Sequence, residues 1–334
     1  MQLMNYRVVP PSYLDRIRLQ SGGDTLKRHF LKMVKEHRKQ AILHMNADHL
    51  HFATLFLLLP EINVLNLYEE LNKRNRAAIA LLGKVSEHFK YVPHSKENLL
   101  GDSESVRAAL KWMLLTGIPD DGLNDMFDQI LDTAASLLLQ NHGSSYMLPS
   151  LVRLLFRRNR KGRYIHDLAW ALFRSQDLDC LRLIAERLRS SNKKDVALAQ
   201  SLLRYNGKTA VKSPKQWRYA SFVSWFEENR PFLAFTGDNF NRTSAPALFR
   251  VDLDAKYLAT KRLLQEQNAL DPLARTDHPC LDDFHDATAA EQLLLANYSY
   301  RLHVQNKKQW KDWMVYPVKK QIQIAQGRQG EHHD

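Results

Sequence analysis

Residues 151–170 read LVRLLFRRNRKGRYIHDLAW, and the way this stretch divides decides how the rest of the chain is read. An apolar run with helical character gives way to six cations within eleven residues: Arg153, Arg157, Arg158, Arg160, Lys161 and Arg163. Apolar spacing of three and one then resumes at Ile165, Leu168 and Ala169, beside the pair His166 and Asp167. That pattern predicts two amphipathic helices joined by a charged elbow.

Shifting the segment forward by 30 residues superposes Leu151 on Leu181, Leu154 on Ile184, Arg157 on Arg187, Leu168 on Leu198, Ala169 on Ala199, Leu172 on Leu202 and Phe173 on Leu203. Two similar helical hairpins are expected, with helices near 149–158, 164–174, 178–189 and 194–205. Over about 58 residues, 148–206, the chain resembles the HEAT and armadillo class of α-helical repeats, with a shorter period than theirs. The resemblance implies a short, degenerate array of stacked hairpins, because the same shift finds no third copy on either side: Asp121 and Asn124 fall where leucines should be, and Pro214 falls where Ile184 should recur.

The remainder of the 334 residues supports an all-α fold with helical regions flanking the array. Only 12 Gly and 12 Pro are present, few for the turns of an all-β chain of this length, and 44% hydrophobic residues suffice for a sizeable core. Ile42, Met45, His49, Phe52, Phe56 and Leu59 recur at helical spacing on one helix, or on two broken near Asn46. Further helices are predicted over 62–73, 75–91, 103–116, 123–140, 284–304 and 307–325. Four regions follow: a helical N-terminal region (1–147), the basic hairpins (148–212), an aromatic-rich junction with a helical C-terminal region (213–326), and a polar tail (327–334) expected to be disordered. Trp217, Tyr219, Phe222, Trp225, Phe226, Phe232, Phe235 and Phe240 crowd the junction, and TGDNFNRTSAP reads as an ordered loop.

Charge is concentrated rather than spread. Residues 148–220 hold 17 Lys and Arg against 5 Asp and Glu, a balance of +12 that equals the net charge of the whole chain. Residues 101–147 hold 2 against 7, and 221–290 hold 7 against 11. A basic block between acidic ones points to an anionic partner, or to contact with the chain's own acidic segments. The expected binding surface comprises Arg153, Arg157, Arg158, Arg160, Lys161 and Arg163 on the first elbow, extended by Arg187, Arg189, Lys193 and Lys194 in the second hairpin. Arginine forks on successive elbows would also suit phosphates. HEAT-like DNA glycosylases use a basic concave face with Trp and Asp in a pocket, and that resemblance would give Trp217, Trp225 and Asp238 a pocket role.

Two constellations could ligate a metal. His44, Asp48 and His51 share a stripe if their helix is continuous, and imidazoles with one carboxylate suit zinc, iron or manganese. His166 and Asp167, with His142 upstream, resemble the metal-dependent HD phosphohydrolases, a resemblance that implies metal-assisted phosphate-ester hydrolysis. No Walker loop, dinucleotide-binding glycine fingerprint, G-x-S-x-G elbow or H-E-x-x-H is present in the sequence. Two cysteines make no disulfide framework, the opening MQLMNYRVVPP lacks a basic-then-apolar leader, and TLFLLLP at 54–60 is far too short to span a bilayer, so a cytoplasmic protein is expected.

The expected function is a non-enzymatic protein-interaction or scaffold module, without cofactor, whose basic central surface binds an acidic protein partner or a second copy of the chain. A nucleic-acid-binding HEAT-like protein is the alternative, and a metal-dependent hydrolase the third.

Overall fold

A computed structural model describes residues 9–85, 103–142, 145–204, 215–260 and 279–327. It is mostly helical, with sixteen α-helices and one two-stranded sheet among these residues. The chain divides into two compact units, Met1–Leu183 and Ile184–Asp334. Beyond Gly327, which ends the last helix, the polar tail lies outside the described residues.

The first unit opens with α1 (Tyr13–Met45), started by a capping box in which the Ser12 hydroxyl accepts from Asp15 N–H and the Asp15 carboxylate accepts from Ser12 N–H. Non-helical dihedrals at Gly22 and His37 bend α1, and it ends at Asn46. Two short helices follow, α2 (Phe52–Leu57) and α3 (Leu59–Val64), and then a 3₁₀ turn at Tyr68–Glu70. The single helix expected over 62–73 is therefore interrupted: Asn66 takes a left-handed φ of 49°, a conformation that asparagine tolerates better than most residues. Next come α4 (Lys73–Val85), α5 (Ser103–Gly117), α6 (Asp125–His142), α7 (Leu148–Arg160), α8 (His166–Arg174) and α9 (Asp179–Ala185).

An aromatic cluster ties α2 to α5 and α6. Phe52 stacks on Phe127 at 5.4 Å and meets Trp112 edge-on at 5.7 Å. The Trp112 indole N–H donates to Leu50 O at 2.9 Å, so a large apolar side chain is buried with its polar atom satisfied. Behind the cluster, the buried Asp15 carboxylate accepts from the His51 backbone N–H and from the Thr54 hydroxyl. Arg18 donates to Thr54 and, through both terminal nitrogens, to Asp120.

The second unit holds α10 (Lys193–Leu203), α11 (Lys215–Asn229), strands β1 (Leu233–Phe235) and β2 (Phe249–Val251), and helices α12 (Leu253–Tyr257), α13 (Pro279–Asp286), α14 (Ala289–Gln305), α15 (Lys307–Met314) and α16 (Val318–Gly327). The helix expected over 284–304 is split because Thr288 and Glu291 form a second capping box that starts α14 afresh. The helix expected over 307–325 is split between α15 and α16, where Pro317 precedes the second. Its core gathers Tyr257, Phe284, Leu295, Leu302 and Trp313, with Tyr257 stacked on Phe284 at 4.4 Å.

The antiparallel pair β1–β2 was not expected in an all-α reading. Leu233 faces Val251, Ala234 faces Arg250 and Phe235 faces Phe249. The loop between the strands is held by short local bonds, with Asp238 N–H on the Thr236 hydroxyl and Asn241 and Arg242 N–H on the Asn239 side chain. Phe222, Phe226 and Phe232 from the aromatic segment are fully buried, whereas Trp225 is half-buried.

Gly117 marks the closest approach within the first unit. A Cβ there would lie 2.8 Å from a Leu131 methyl, 3.3 Å from the Phe52 ring and 3.4 Å from the Phe127 ring. Gly117→Ala is expected to destabilise the protein by about 1–3 kcal/mol through overpacking. The check is the denaturant midpoint at unchanged slope, and an unshifted midpoint would show that α5 and α6 separate freely.

Candidate functional site

The cationic elbow of residues 157–163 is built by a helix terminus. Arg157, Arg158 and Arg160 occupy the last turn of α7, where positive charge complements the helix dipole. Gly162 adopts φ 66°, its N–H donates to Asn159 O at 3.1 Å, and Arg163 N–H donates to Arg158 O at 3.0 Å. This is the glycine-terminated helix stop in which the chain reverses within one residue. Its consequence is electrostatic, because the reversal brings Arg163 back beside the carboxylates that Arg158 already holds.

Those carboxylates come from the acidic segment. Arg158 Nε donates to Asp121 Oδ1 at 2.7 Å, and its Nη1 donates to both oxygens of Asp132 at 2.7 and 2.8 Å. Arg163 Nη1 donates to Asp121 Oδ2 at 2.8 Å and its Nη2 pairs with Asp128. Arg157 donates to Ile118 O at 2.5 Å and lies 3.6 Å from Asp121. Arg158 is only 2% exposed and the Asp121 side chain is 0% exposed, so the network is an interior one. Arg158 was expected on a partner-binding surface, and the structure corrects this: its guanidinium faces inward because α6 and the turn before it present carboxylates to α7. Arg157 and Arg163 are half-buried in the same network.

Burial pushes the Asp132 carboxyl up to about 6, against the opposing pull of the Arg158 charge and its hydrogen bonds. For Arg158 desolvation works against the charge, and the two carboxylates outweigh it and raise its pKa.

Other expected binding residues do lie on the outside. In the first unit Arg153, Arg160 and Lys161 are exposed, Arg153 donating to Ser150 Oγ at 3.1 Å. In the second unit Arg189, Lys193 and Lys194 are exposed and Arg187 is half-buried. Arg189 lies over the Tyr219 ring at 5.1 Å and pairs with Glu186 at 3.5 Å.

The metal candidates are not assembled. Among the described residues no group of three or more His, Cys, Asp or Glu side chains is placed to hold an ion. The stripe of His44, Asp48 and His51 assumes a continuous helix, but α1 stops at Met45 and α2 starts at Phe52. His44 stacks on Tyr13 at 4.6 Å, Asp48 is exposed, and His51 is buried with Nε2 3.1 Å from Val9 O. His166 lies 4.8 Å from the Tyr164 ring and Asp167 is 3.5 Å from the Tyr164 hydroxyl. The side chains of His142 and Trp217 lie outside the described residues. Asp238 accepts a backbone bond from Ala247 N–H at 3.3 Å.

Two features escaped the sequence reading. On α1, Arg28, Lys32 and Lys35 lie at spacings of four and three on the exposed face, with Lys39 beyond the bend at His37. Lys32, Lys35 and Lys39 make no hydrogen bond or ion pair with any described residue. The spacing was legible, but Asp24 and Glu36 on the same helix dilute its net charge. In the second unit, a recess of about 290 Å³ is lined by Leu203, Arg204, Trp225, Leu248, Phe249, Arg250 and Val251. No local spacing connects these residues, so only the fold brings them together.

Comparison of the chain with protein-family models, curated proteins and solved structures finds no match. No helix among the described residues is long and apolar enough to cross a membrane.

The raised pKa of Asp132 fixes a pH dependence. The folded state holds this proton up to about pH 6, whereas the unfolded chain releases it near the ordinary carboxylate value of 3.8. Between about pH 4 and 6 the native state therefore binds the extra proton, and the contribution of this group to stability falls as pH rises through that window, by about 2–3 kcal/mol in all. Asp132→Asn is expected to flatten that part of the stability–pH curve. Denaturant titrations at pH 4, 5, 6 and 7 test it, and a slope equal to that of the wild type would refute the assignment.

Proposed function

We propose that the protein is a non-enzymatic interaction module that binds an acidic protein partner through its exposed cations. One observation carries the reading. Among the described residues the charged residues buried as a whole are Asp15, Asp132 and Asp195 against Arg18, Arg158 and Lys256, and the Asp121 side chain adds a fourth buried carboxylate. That interior holds no positive surplus, so the net charge of +12 lies outside it. A surplus of this size sets up a field that attracts polyanionic surfaces.

The cations offered are Arg28, Lys32, Lys35 and Lys39 on α1, Arg153, Arg160 and Lys161 around the elbow of α7, and Arg189, Lys193 and Lys194 on the second unit. The same reading takes the helices of 148–206 as a short HEAT-like array, on the strength of the seven apolar and cationic correspondences at a shift of 30. It assigns the protein to a reducing cytoplasm, with the buried free thiol of Cys180 as support.

Charge reversal outside the buried network tests the proposal. The five-residue variant Arg28→Glu, Lys32→Glu, Lys35→Glu, Arg160→Glu and Lys161→Glu is expected to weaken binding of poly-glutamate by roughly tenfold or more, with an unchanged far-ultraviolet circular dichroism spectrum. Unaltered binding would overturn the proposal. Binding of duplex DNA roughly tenfold tighter than poly-glutamate, with affinity falling linearly in log–log salt, would move the reading to nucleic-acid recognition.

A further inference from the structure

The recess in the second unit combines three features that point to one kind of ligand. The first is a strand edge. Thr236 N–H donates to Leu248 O and Asp252 N–H donates to Phe232 O, so these residues form hydrogen-bonded pairs across the hairpin. Pairs alternate in an antiparallel ladder, which makes Ala234–Arg250 the bonded pair between them. Phe249 and Val251 are then non-bonded positions, and their N–H and C=O groups point away from β1. Among the described residues the sheet has only two strands, so this outer row of donors and acceptors meets no third strand there.

The second feature is unpaired positive charge. Arg204 and Arg250 are both exposed, both line the recess, and neither guanidinium makes a hydrogen bond or ion pair among the described residues. Arg204 moreover holds φ 45° and ψ 26° at the end of α10, a left-handed conformation that costs a non-glycine residue free energy. The third is an apolar floor with one polar handle. Leu203, Leu248 and the Phe249–Trp225 ring pair, centroids 6.3 Å apart, line the recess, and the Trp225 indole N–H has no acceptor among the described residues. At about 290 Å³ the space is at the lower limit for small-molecule clefts, enough for one or two side chains.

We infer that the outer edge of β2 captures an extended acidic segment of a partner protein as a third strand, with an apolar side chain seated beside Trp225 and flanking carboxylates on Arg204 and Arg250. Backbone bonds to Phe249 and Val251 supply register, the recess selects the apolar residue, and the two guanidinium groups select its acidic neighbours. Three-residue strands with one free edge cannot hold a partner by backbone bonds alone, so the charges and the recess determine affinity. The site lies on the second unit and does not depend on the α1 and α7 cations named above.

The test uses the full chain and a capped, fluorescein-labelled pentapeptide of sequence Asp-Leu-Asp-Leu-Asp, read by fluorescence anisotropy. Saturable binding is expected, with a roughly tenfold or greater loss for the peptide in which lysines replace the aspartates. Val251→Pro removes an outward N–H that β1 does not use, so it should weaken binding by roughly tenfold while the circular dichroism spectrum stays that of the wild type. Should Val251→Pro disturb the fold, Arg204→Asn with Arg250→Gln decides: asparagine tolerates the left-handed position, and the double variant is expected to lose binding by roughly tenfold or more with the fold intact. Wild-type affinity in the double variant would overturn the inference. So would displacement of the peptide by benzoate at equal concentration, because the site would then be a pocket for small aromatic anions. The five-residue reversal of α1 and α7 should leave peptide binding within about twofold, which separates failure of this site from failure of the general reading.

Discussion

Arg158 is a guanidinium held out of water between Asp121 and Asp132, and the architecture of the first unit depends on that arrangement. Taking an arginine and two carboxylates out of water costs several kcal/mol per ion, and mutual attraction offsets this only when each fork and lone pair is satisfied. Here the satisfaction is supplied from several directions. The turn between α5 and α6 brings Asp120 and Asp121, α6 brings Asp128 and Asp132, and α7 with its terminal reversal brings Arg157, Arg158 and Arg163. Arg18 of α1 reaches the same turn through Asp120. One short turn, 118–121, therefore ties together α1 and α7, two helices that lie far apart in sequence.

This arrangement changes what the basic block means. A dense run of arginines ordinarily signals a surface waiting for an anion, and in this chain part of the anion is internal. Three cations of the basic segment 148–220, Arg157, Arg158 and Arg163, are turned onto carboxylates of the acidic segment 101–147, Asp121, Asp128 and Asp132. Beyond these pairs, exposed cations lie along α1, on the outer rim of the α7 elbow and on the second unit. A buried ion pair fixes geometry more than it raises stability, since a misplaced α7 would leave carboxylates buried without a partner.

The helical class was legible in the sequence because Leu151, Leu154, Leu168 and Leu172 keep helical spacing over whole turns. Some helix ends were legible, since the helix expected over 103–116 runs from Ser103 to Gly117. The breaks were less so, because Asn66 and the Thr288–Glu291 box act through a single dihedral or a pair of local bonds rather than through periodicity. The β1–β2 hairpin could not be read, since three-residue strands give period-two alternation no room. Direction was the hardest property: Arg157, Arg158 and Arg160 are equal as letters, and only the position of Asp121 and Asp132 decides that Arg158 is internal while Arg160 is exposed. The recess is further from the sequence still, because Arg204, Trp225 and Arg250 belong to three separate elements.

A double-mutant cycle measures the internal tie directly. Stability is determined for the wild type, for Arg158→Met, for the pair Asp121→Asn with Asp132→Asn, and for the triple variant. Breaking the network from one side leaves charge buried without a partner, so each branch alone is expected to cost about 3–5 kcal/mol, and the triple variant should recover about 2 kcal/mol or more relative to the sum of the two branches. Strict additivity of the two branches would contradict the account, for it would mean that Arg158 and the two aspartates do not interact and that the elbow is the open cationic surface its sequence first suggested.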